Sequence, residues 1–123
     1  MRALVIDDSK AMRTILKRIL SECGAEVAEA CDGQDGLKAL TEKGPFDVAL
    51  VDWNMPIMNG YEFVVAVRAD ESRNGMKIMM VTTETDLDNM ARILRAGANE
   101  YVMKPFTKEM IIEKMNLLGL VGS

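Results

Sequence analysis

Histidine is absent from this 123-residue chain, and cysteine occurs only twice, at Cys23 and Cys31. Without histidine there is no Ser–His–Asp or Cys–His catalytic set. Two cysteines alone cannot fill a tetrahedral zinc centre. They form no CxxC pair and stand at no metal-ligand spacing, so they read as buried or half-buried free thiols of a reducing compartment. A basic run or tail is also missing: Lys and Arg number 15 against 19 Asp and Glu, a net charge of -4. That balance argues against nucleic acid or an anionic membrane surface as a partner. No apolar stretch approaches the ~20 residues that span a bilayer. Acidic residues follow MRALVI where a secretory signal would continue its apolar region. A cytoplasmic monomer is the expectation.

What is present suits one domain. Hydrophobic residues make up 49% and charged residues 28%, enough for a core under an ordinary solvated surface. No linker, repeat or low-complexity segment interrupts the chain, and residues 1–123 are expected to form a single domain with no output domain attached. Short apolar runs alternate with amphipathic stretches. Ala3–Ile6 reads as a strand, followed by a helix capped by Ser9, carrying Met12, Ile15, Leu16, Ile19 and Leu20 and ended by Gly24. Glu26–Ala30 is a half-polar strand suited to a sheet edge, and Gly33 to Lys43 a helix with Leu37 and Leu40 inward. Asp47–Val51 is a central strand. Asn59 and Glu62 have capping-box spacing at the start of a helix to Ala69. Lys77–Val81 is a fourth strand, and Asp86 caps a helix bearing Leu87, Met90, Ala91 and Leu94 that ends at Gly97. Tyr101–Met103 is a fifth strand, and Thr107 caps a last helix with Ile111, Met115 and Leu118 on one face. Five β-α units imply an α/β fold: a flavodoxin-like, doubly wound five-stranded parallel sheet, order 2-1-3-4-5, with helices on both faces.

In such a sheet, ligands bind beyond the carboxyl ends of the strands. The first strand delivers Asp7 and Asp8 there, the third Asp52, the fourth Thr82 and Thr83, and the fifth Lys104. Asp8 or Thr82 alone reads as capping or turn chemistry. Asp52 does not, because in FDVALVDWNMPIMNG no helix starts for several residues after it. Two carboxylates ~4 Å apart repel by about 4 kcal/mol at an effective dielectric of 20. They need a shared proton or a cation, and Lys104 alone is too little for three. Hard oxygen ligands without His or Cys suit Mg²⁺, with the Asn54 carbonyl as a further ligand. A metal on Asp8 and Asp52 leaves one Asp52 oxygen free as a nucleophile, with Lys104 and the Thr82 hydroxyl to neutralise an incoming phosphoryl group. The residues therefore read as a Mg²⁺-dependent site that forms an aspartyl phosphate on Asp52. Of the 11 methionines, Met79 and Met80 are core filler, while Met90 and Met103 are candidates for an adaptable partner surface.

VIDDS (Val5–Ser9), VDWNMPIMNG (Val51–Gly60), VTTE (Val81–Glu84) and RAGANEYVMKPF (Arg95–Phe106) carry a family likeness. Over essentially its whole length the sequence resembles the receiver domains of two-component response regulators. Trp53, Asn54 and Glu84 lean towards the chemotaxis members. The resemblance implies that Asp52 accepts phosphate from a phosphohistidine on a sensor histidine kinase of the CheA type. It implies Mg²⁺ held by Asp8, Asp52 and the Asn54 main-chain oxygen, with Asp7 helping through water. Thr82 and Lys104 would contact the phosphoryl group, and Tyr101 would turn inward as Thr82 moves. A face including Met90, Leu94, Tyr101 and Met103 would then bind the flagellar motor switch or another downstream protein. Asn54 and Glu84 would influence phosphate lifetime, and Lys104–Pro105 is often cis in the family. Such a protein is a phosphoacceptor rather than an enzyme. Rival readings are a phosphorelay intermediate, a haloacid-dehalogenase-type phosphatase and a flavodoxin. The phosphatase would carry its acceptor after the first strand, and the flavodoxin would need a Ser, Thr or Gly-rich first loop where this chain has DDSK.

Overall fold

The computed structural model describes residues 1–120. Its elements are β1 (Arg2–Ile6), α1 (Lys10–Glu22), β2 (Glu26–Ala30), α2 (Gly33–Lys43), β3 (Val48–Val51), α3 (Gly60–Arg68), a 3₁₀ turn (Glu71–Arg73), β4 (Lys77–Thr82), α4 (Leu87–Ala96), β5 (Glu100–Met103) and α5 (Lys108–Leu117). The five strands form one parallel sheet in the order β2-β1-β3-β4-β5, as the alternation of apolar runs and helices predicts.

Period-two alternation along the strands makes two cores. Leu4, Ile6, Ala49, Val51, Ile78 and Met80 face one way, against Leu40, Phe63, Val64, Val67 and Ile93 of α2, α3 and α4. Ala3, Val5, Val48, Leu50, Met79 and Val81 face the other, against Leu16, Ile19, Leu20, Ile111 and Met115 of α1 and α5. Strands buried on both faces read as continuous apolar runs, which is why β1 and β3 look alike in sequence. The edge strand β2 is half-polar for the opposite reason. Met79 and Met80 are wholly buried. Cys23 is half-buried and Cys31 exposed, both as free thiols. Cys31 is thus more open than its sequence context suggests.

Most helix starts are capped as the sequence predicts. Ser9, Asp32, Asn59, Asp86 and Thr107 each accept a backbone N–H with their side chains, and Asn59 with Glu62 completes a reciprocal capping box. Helix α4 differs in how it sits. Its one fully buried residue is Ile93, while Leu87 is 78% and Leu94 43% exposed. The stripe Leu87, Ala91, Leu94 points outward, and the helix rests on the sheet by the residue beside it.

Arg68, at the end of α3, closes the far edge of the sheet, at the amino ends of the strands. Its guanidinium donates to Gly97 O (3.0 Å), Arg73 O (3.2 Å), Met76 O (2.8 Å) and Asn99 Oδ1 (3.0 Å). Asn99 Oδ1 also accepts Ile78 N–H at 2.8 Å. Gly97 allows this approach: its φ is +125°, and a Cβ there would lie 2.5 Å from Arg68 Cγ. Nothing in the periodicity signals this clasp, because three of its four acceptors are backbone carbonyls of two separate loops. Arg68→Leu should lower unfolding free energy in urea by about 1–3 kcal/mol through acceptors left unpaired. Hydrogen exchange should quicken first at Gly97–Asn99, and an unchanged denaturation midpoint would show that water replaces the clasp at no loss.

Candidate functional site

Register sets the geometry. Ile6 pairs with Val51 across β1 and β3, so Asp7 and Asp52 are the next residues on adjacent parallel strands. Their backbones continue the ladder, Asp52 N–H donating to Ile6 O at 3.0 Å and Asp7 N–H to Ala30 O at 3.1 Å. On the other side Lys104 N–H donates to Thr82 O at 2.9 Å, holding the end of β5 against β4. Parallel strands of matched register thus bring four polar side chains from distant parts of the chain to one edge.

Asp7 is 2% exposed and Asp52 8%; Asp8 lies open at the rim. One oxygen from each of the three carboxylates lies within 4.8 Å of the others. At that spacing each pair repels by roughly 3–4 kcal/mol at an effective dielectric of 20. Lys104 Nζ lies 2.8 Å from Asp7 Oδ2 and 3.4 Å from Asp52 Oδ2. Asp8 has no ion-pair partner among the described residues. Three negative charges against one positive leave the cluster short of cation. Oxygen donors with no nitrogen or sulfur ligand suit a hard divalent ion, so the residues present fit a metal of that class.

The two buried carboxylates are also held by backbone donors. Asp7 Oδ1 accepts Ser9 N–H at 2.9 Å. Asp52 Oδ1 accepts Trp53 N–H at 2.7 Å, leaving Oδ2 towards Lys104. Arg13 of α1 donates to Asp7 O at 2.6 Å and to Glu29 Oε1 at 3.2 Å, fixing the turn that carries Asp7 and Asp8. Gly60 lets the loop after Asp52 fold back: its N–H donates to Trp53 O at 2.9 Å, and a Cβ would lie 2.2 Å from Asp52 O. Within that loop Met58 N–H donates to Pro56 O at 2.7 Å across Ile57, whose φ is +70°. A β-branched residue in the left-handed region is strained. Asn54 is exposed in the same loop, and the Lys104–Pro105 peptide is cis.

Thr82 is wholly buried at the end of β4. Its hydroxyl accepts Glu84 N–H at 3.3 Å and is not bonded to Asp52. Glu84 links several parts: its carbonyl accepts the Tyr101 hydroxyl at 2.8 Å, and its carboxylate accepts Asp86 N–H at 2.9 Å. Tyr101 and Met103 on β5 and Met90 on α4 are half-buried, and Leu94 on α4 is exposed. Burial, then the charges of Glu84 and Asp52, push the Tyr101 phenol up to about 12.

A second contact chain was not visible in the sequence. The Trp53 ring stacks on Tyr61 of α3, with centroids 5.9 Å apart and planes inclined by 24°. The guanidinium carbon of Arg92 on α4 lies 4.1 Å from the Tyr61 centroid. Arg13, Ser9, Tyr61 and Arg92 were not among the predicted site residues. Only Ser9, already read as a helix cap, carried any local signal.

The family model described as "Response regulator receiver domain" matches residues 3–116. The chain belongs to that family. It is 43% identical over 121 residues to the Campylobacter jejuni "Chemotaxis protein CheY homolog", covering 97% of this chain and 93% of that one. It is 42% identical over 116 residues to the Pseudomonas aeruginosa "Chemotaxis protein CheY", covering 94% and 93%. Among solved structures, Vibrio cholerae chemotaxis protein CheY4 superposes with a TM-score of 0.88 at 35% identity, covering 95% of this chain and 97% of that one. The fold and the order of motifs make this a CheY-like receiver domain. No helix among the described residues is long and apolar enough to cross a membrane.

Because Tyr101 has its pKa raised, its folded form holds the proton above the pH at which an unfolded tyrosine loses it. Its hydroxyl therefore remains a donor to Glu84 O throughout the physiological range. The phenolate absorbance lost in Tyr101→Phe should appear in the parent near pH 12, above the ordinary value of about 10. A difference titration centred at the ordinary value would contradict the buried, bonded placement.

Proposed function

We propose that Asp52 accepts a phosphoryl group from a phosphohistidine of a CheA-type sensor histidine kinase, in a Mg²⁺-dependent reaction, and that the phosphorylated form changes its binding to the flagellar motor switch. The observation that carries this reading is Asp52 Oδ2: buried, 3.4 Å from Lys104 Nζ and in one cluster with Asp7 and Asp8, in a chain similar to chemotaxis proteins.

In the transfer, Asp52 Oδ2 forms a P–O bond as the P–N bond of the donor breaks. The electron pair stays on the imidazole nitrogen, which takes up a proton. Asp8, Asp52 and the Asn54 carbonyl, with Asp7 helping through water, would hold Mg²⁺, which would neutralise charge on the transferred oxygens. Lys104 supplies a fixed positive charge on the other side of the acceptor, already placed before the donor arrives. Hydrolysis reverses the state: water adds to phosphorus, inorganic phosphate leaves and the carboxylate returns. Asn54 and Glu84 would influence phosphate lifetime by hindering or orienting that water. The protein is consumed and regenerated stoichiometrically, so it acts as a phosphoacceptor rather than as an enzyme.

The route outward starts at Thr82. Its hydroxyl accepts Glu84 N–H, and Glu84 also holds Tyr101 through its carbonyl. A shift of Thr82 towards a phosphoryl oxygen therefore pulls on the residue that anchors Tyr101. It frees Tyr101 to turn and alters the face formed by Met90, Leu94, Tyr101 and Met103, where the outward stripe of α4 meets a partner.

Acetyl phosphate with Mg²⁺ should give a phosphate adduct by intact mass and a change in Trp53 fluorescence, and both should vanish in Asp52→Asn. Asp8→Asn should raise the Mg²⁺ concentration for half-maximal response ten-fold or more, since even outer-shell changes at metal sites cost about 10–100-fold. No adduct on the folded parent protein sinks the assignment. Purified motor-switch protein should bind the beryllofluoride-treated form more tightly than the untreated one. Equal binding of the two forms would remove the chemotaxis output and leave the acceptor chemistry standing.

A further inference from the structure

The contact chain Trp53–Tyr61–Arg92 joins the loop after Asp52 to α4 on that face, and the chemistry of Asp52 does not use it directly. Trp53 is buried, Tyr61 half-buried and Arg92 exposed. Arg92 has no ion pair and no side-chain hydrogen bond among the described residues. The contact that holds its guanidinium in place is the face of Tyr61.

We propose that Tyr61 and Arg92 are positioning residues for phosphoryl transfer at Asp52, acting through Trp53. The inference rests on the reading of Asp52 as acceptor. Asp52 has two oxygens, and Trp53 N–H determines which is free, taking Oδ1 at 2.7 Å. How firmly the carboxylate is oriented depends on how firmly the Trp53 peptide is held. Its carbonyl is tied to Gly60 N–H at 2.9 Å, and the indole is its one side-chain handle. A ring stacked at 5.9 Å on Tyr61 resists sliding, because offset aromatic pairs favour particular geometries beyond the area they bury. A cation over the ring is attracted to its negative face and holds it against α4. Rate is sensitive to such placement, since an error of about 1 Å at the reacting centre can cost 10²-fold. Leucine at position 61 would keep an apolar side chain against the core, but would offer neither a stacking face nor a seat for the Arg92 charge.

The test follows transfer from radiolabelled acetyl phosphate at saturating Mg²⁺, so that the readout is independent of Trp53 fluorescence. Arg92→Gln, an exposed substitution, should slow labelling by about two- to five-fold, the equilibrium weight of an exposed cation–π contact. Tyr61→Leu should slow it at least as much, and Tyr61→Phe should restore the parental rate. The double variant Tyr61→Leu/Arg92→Gln should be no slower than Tyr61→Leu alone, because Arg92 acts only through the ring. The acetyl phosphate concentration for half-maximal rate should stay constant, since neither residue touches the donor. Without any donor, the near-ultraviolet circular dichroism of Trp53 should weaken in Tyr61→Leu and persist in Tyr61→Phe. A parental rate in Arg92→Gln, or additive losses in the double variant, overturns the inference while leaving the acceptor assignment intact. A parent protein that takes no label overturns both.

Discussion

The contact on which the site depends is the ion pair from Lys104 Nζ to Asp7 and Asp52. It joins the first, third and fifth strands at their carboxyl ends. Without it, two buried carboxylates would face each other with only backbone N–H groups for compensation. Asp8 adds a third charge that the lysine does not reach. The fold thus holds an electrostatic deficit at a fixed place, one that a divalent ion can fill and that a phosphoryl group with its ion can use. The surroundings of the deficit are rigid: β1 and β3 are buried on both sides, and the Asp7 and Asp52 peptides stay in the ladder.

The rigid edge contrasts with α4. One fully buried isoleucine anchors that helix, and an apolar stripe faces outward. Elements with few buried contacts open at lower free energy than central strands. Three contacts tie α4 and the loop before it to the Asp52 side of the molecule: Glu84, ahead of the helix, to Thr82 and to Tyr101, and Arg92 of α4 to Tyr61. They are two single hydrogen bonds and one ring contact. A firmly held Asp52 and a lightly held neighbouring helix are the two properties that the proposed phosphorylation switch requires together.

The sheet and the acidic cluster were legible in the sequence because both follow from order along the chain. An apolar run of four or five residues ending in Asp or Lys states which side chain reaches the strand tip, and β-α alternation states which edge that is. Caps at Ser9, Asn59, Asp86 and Thr107 were legible because their partners lie two or three residues away. The Arg68 clasp, the Arg13 contact to Asp7 and the Tyr61–Arg92 seat were not. Their partners lie five or more residues away, beyond the reach of a cap or a helical repeat, and most of the acceptors are backbone atoms, which no residue type marks. Helix α4 shows a subtler limit. Its 3.6-residue spacing was correct, but spacing does not say which apolar stripe faces the sheet, and the wider stripe turned outward.

The pairing of Ile6 with Val51 carries a consequence for errors in assembly. Side chains on a strand alternate faces, so sliding β3 by a single step would send Val48 and Leu50 towards the helices meant for Ala49 and Val51. The same slip would carry Asp52 out of reach of Lys104 and present the bulky indole in its stead. A misthreaded molecule would lose its core and its chemistry in one event. Molecules able to bury their centre are therefore the same molecules that bring Asp7, Asp52 and Lys104 together, and the population sorts itself without a separate check on the site.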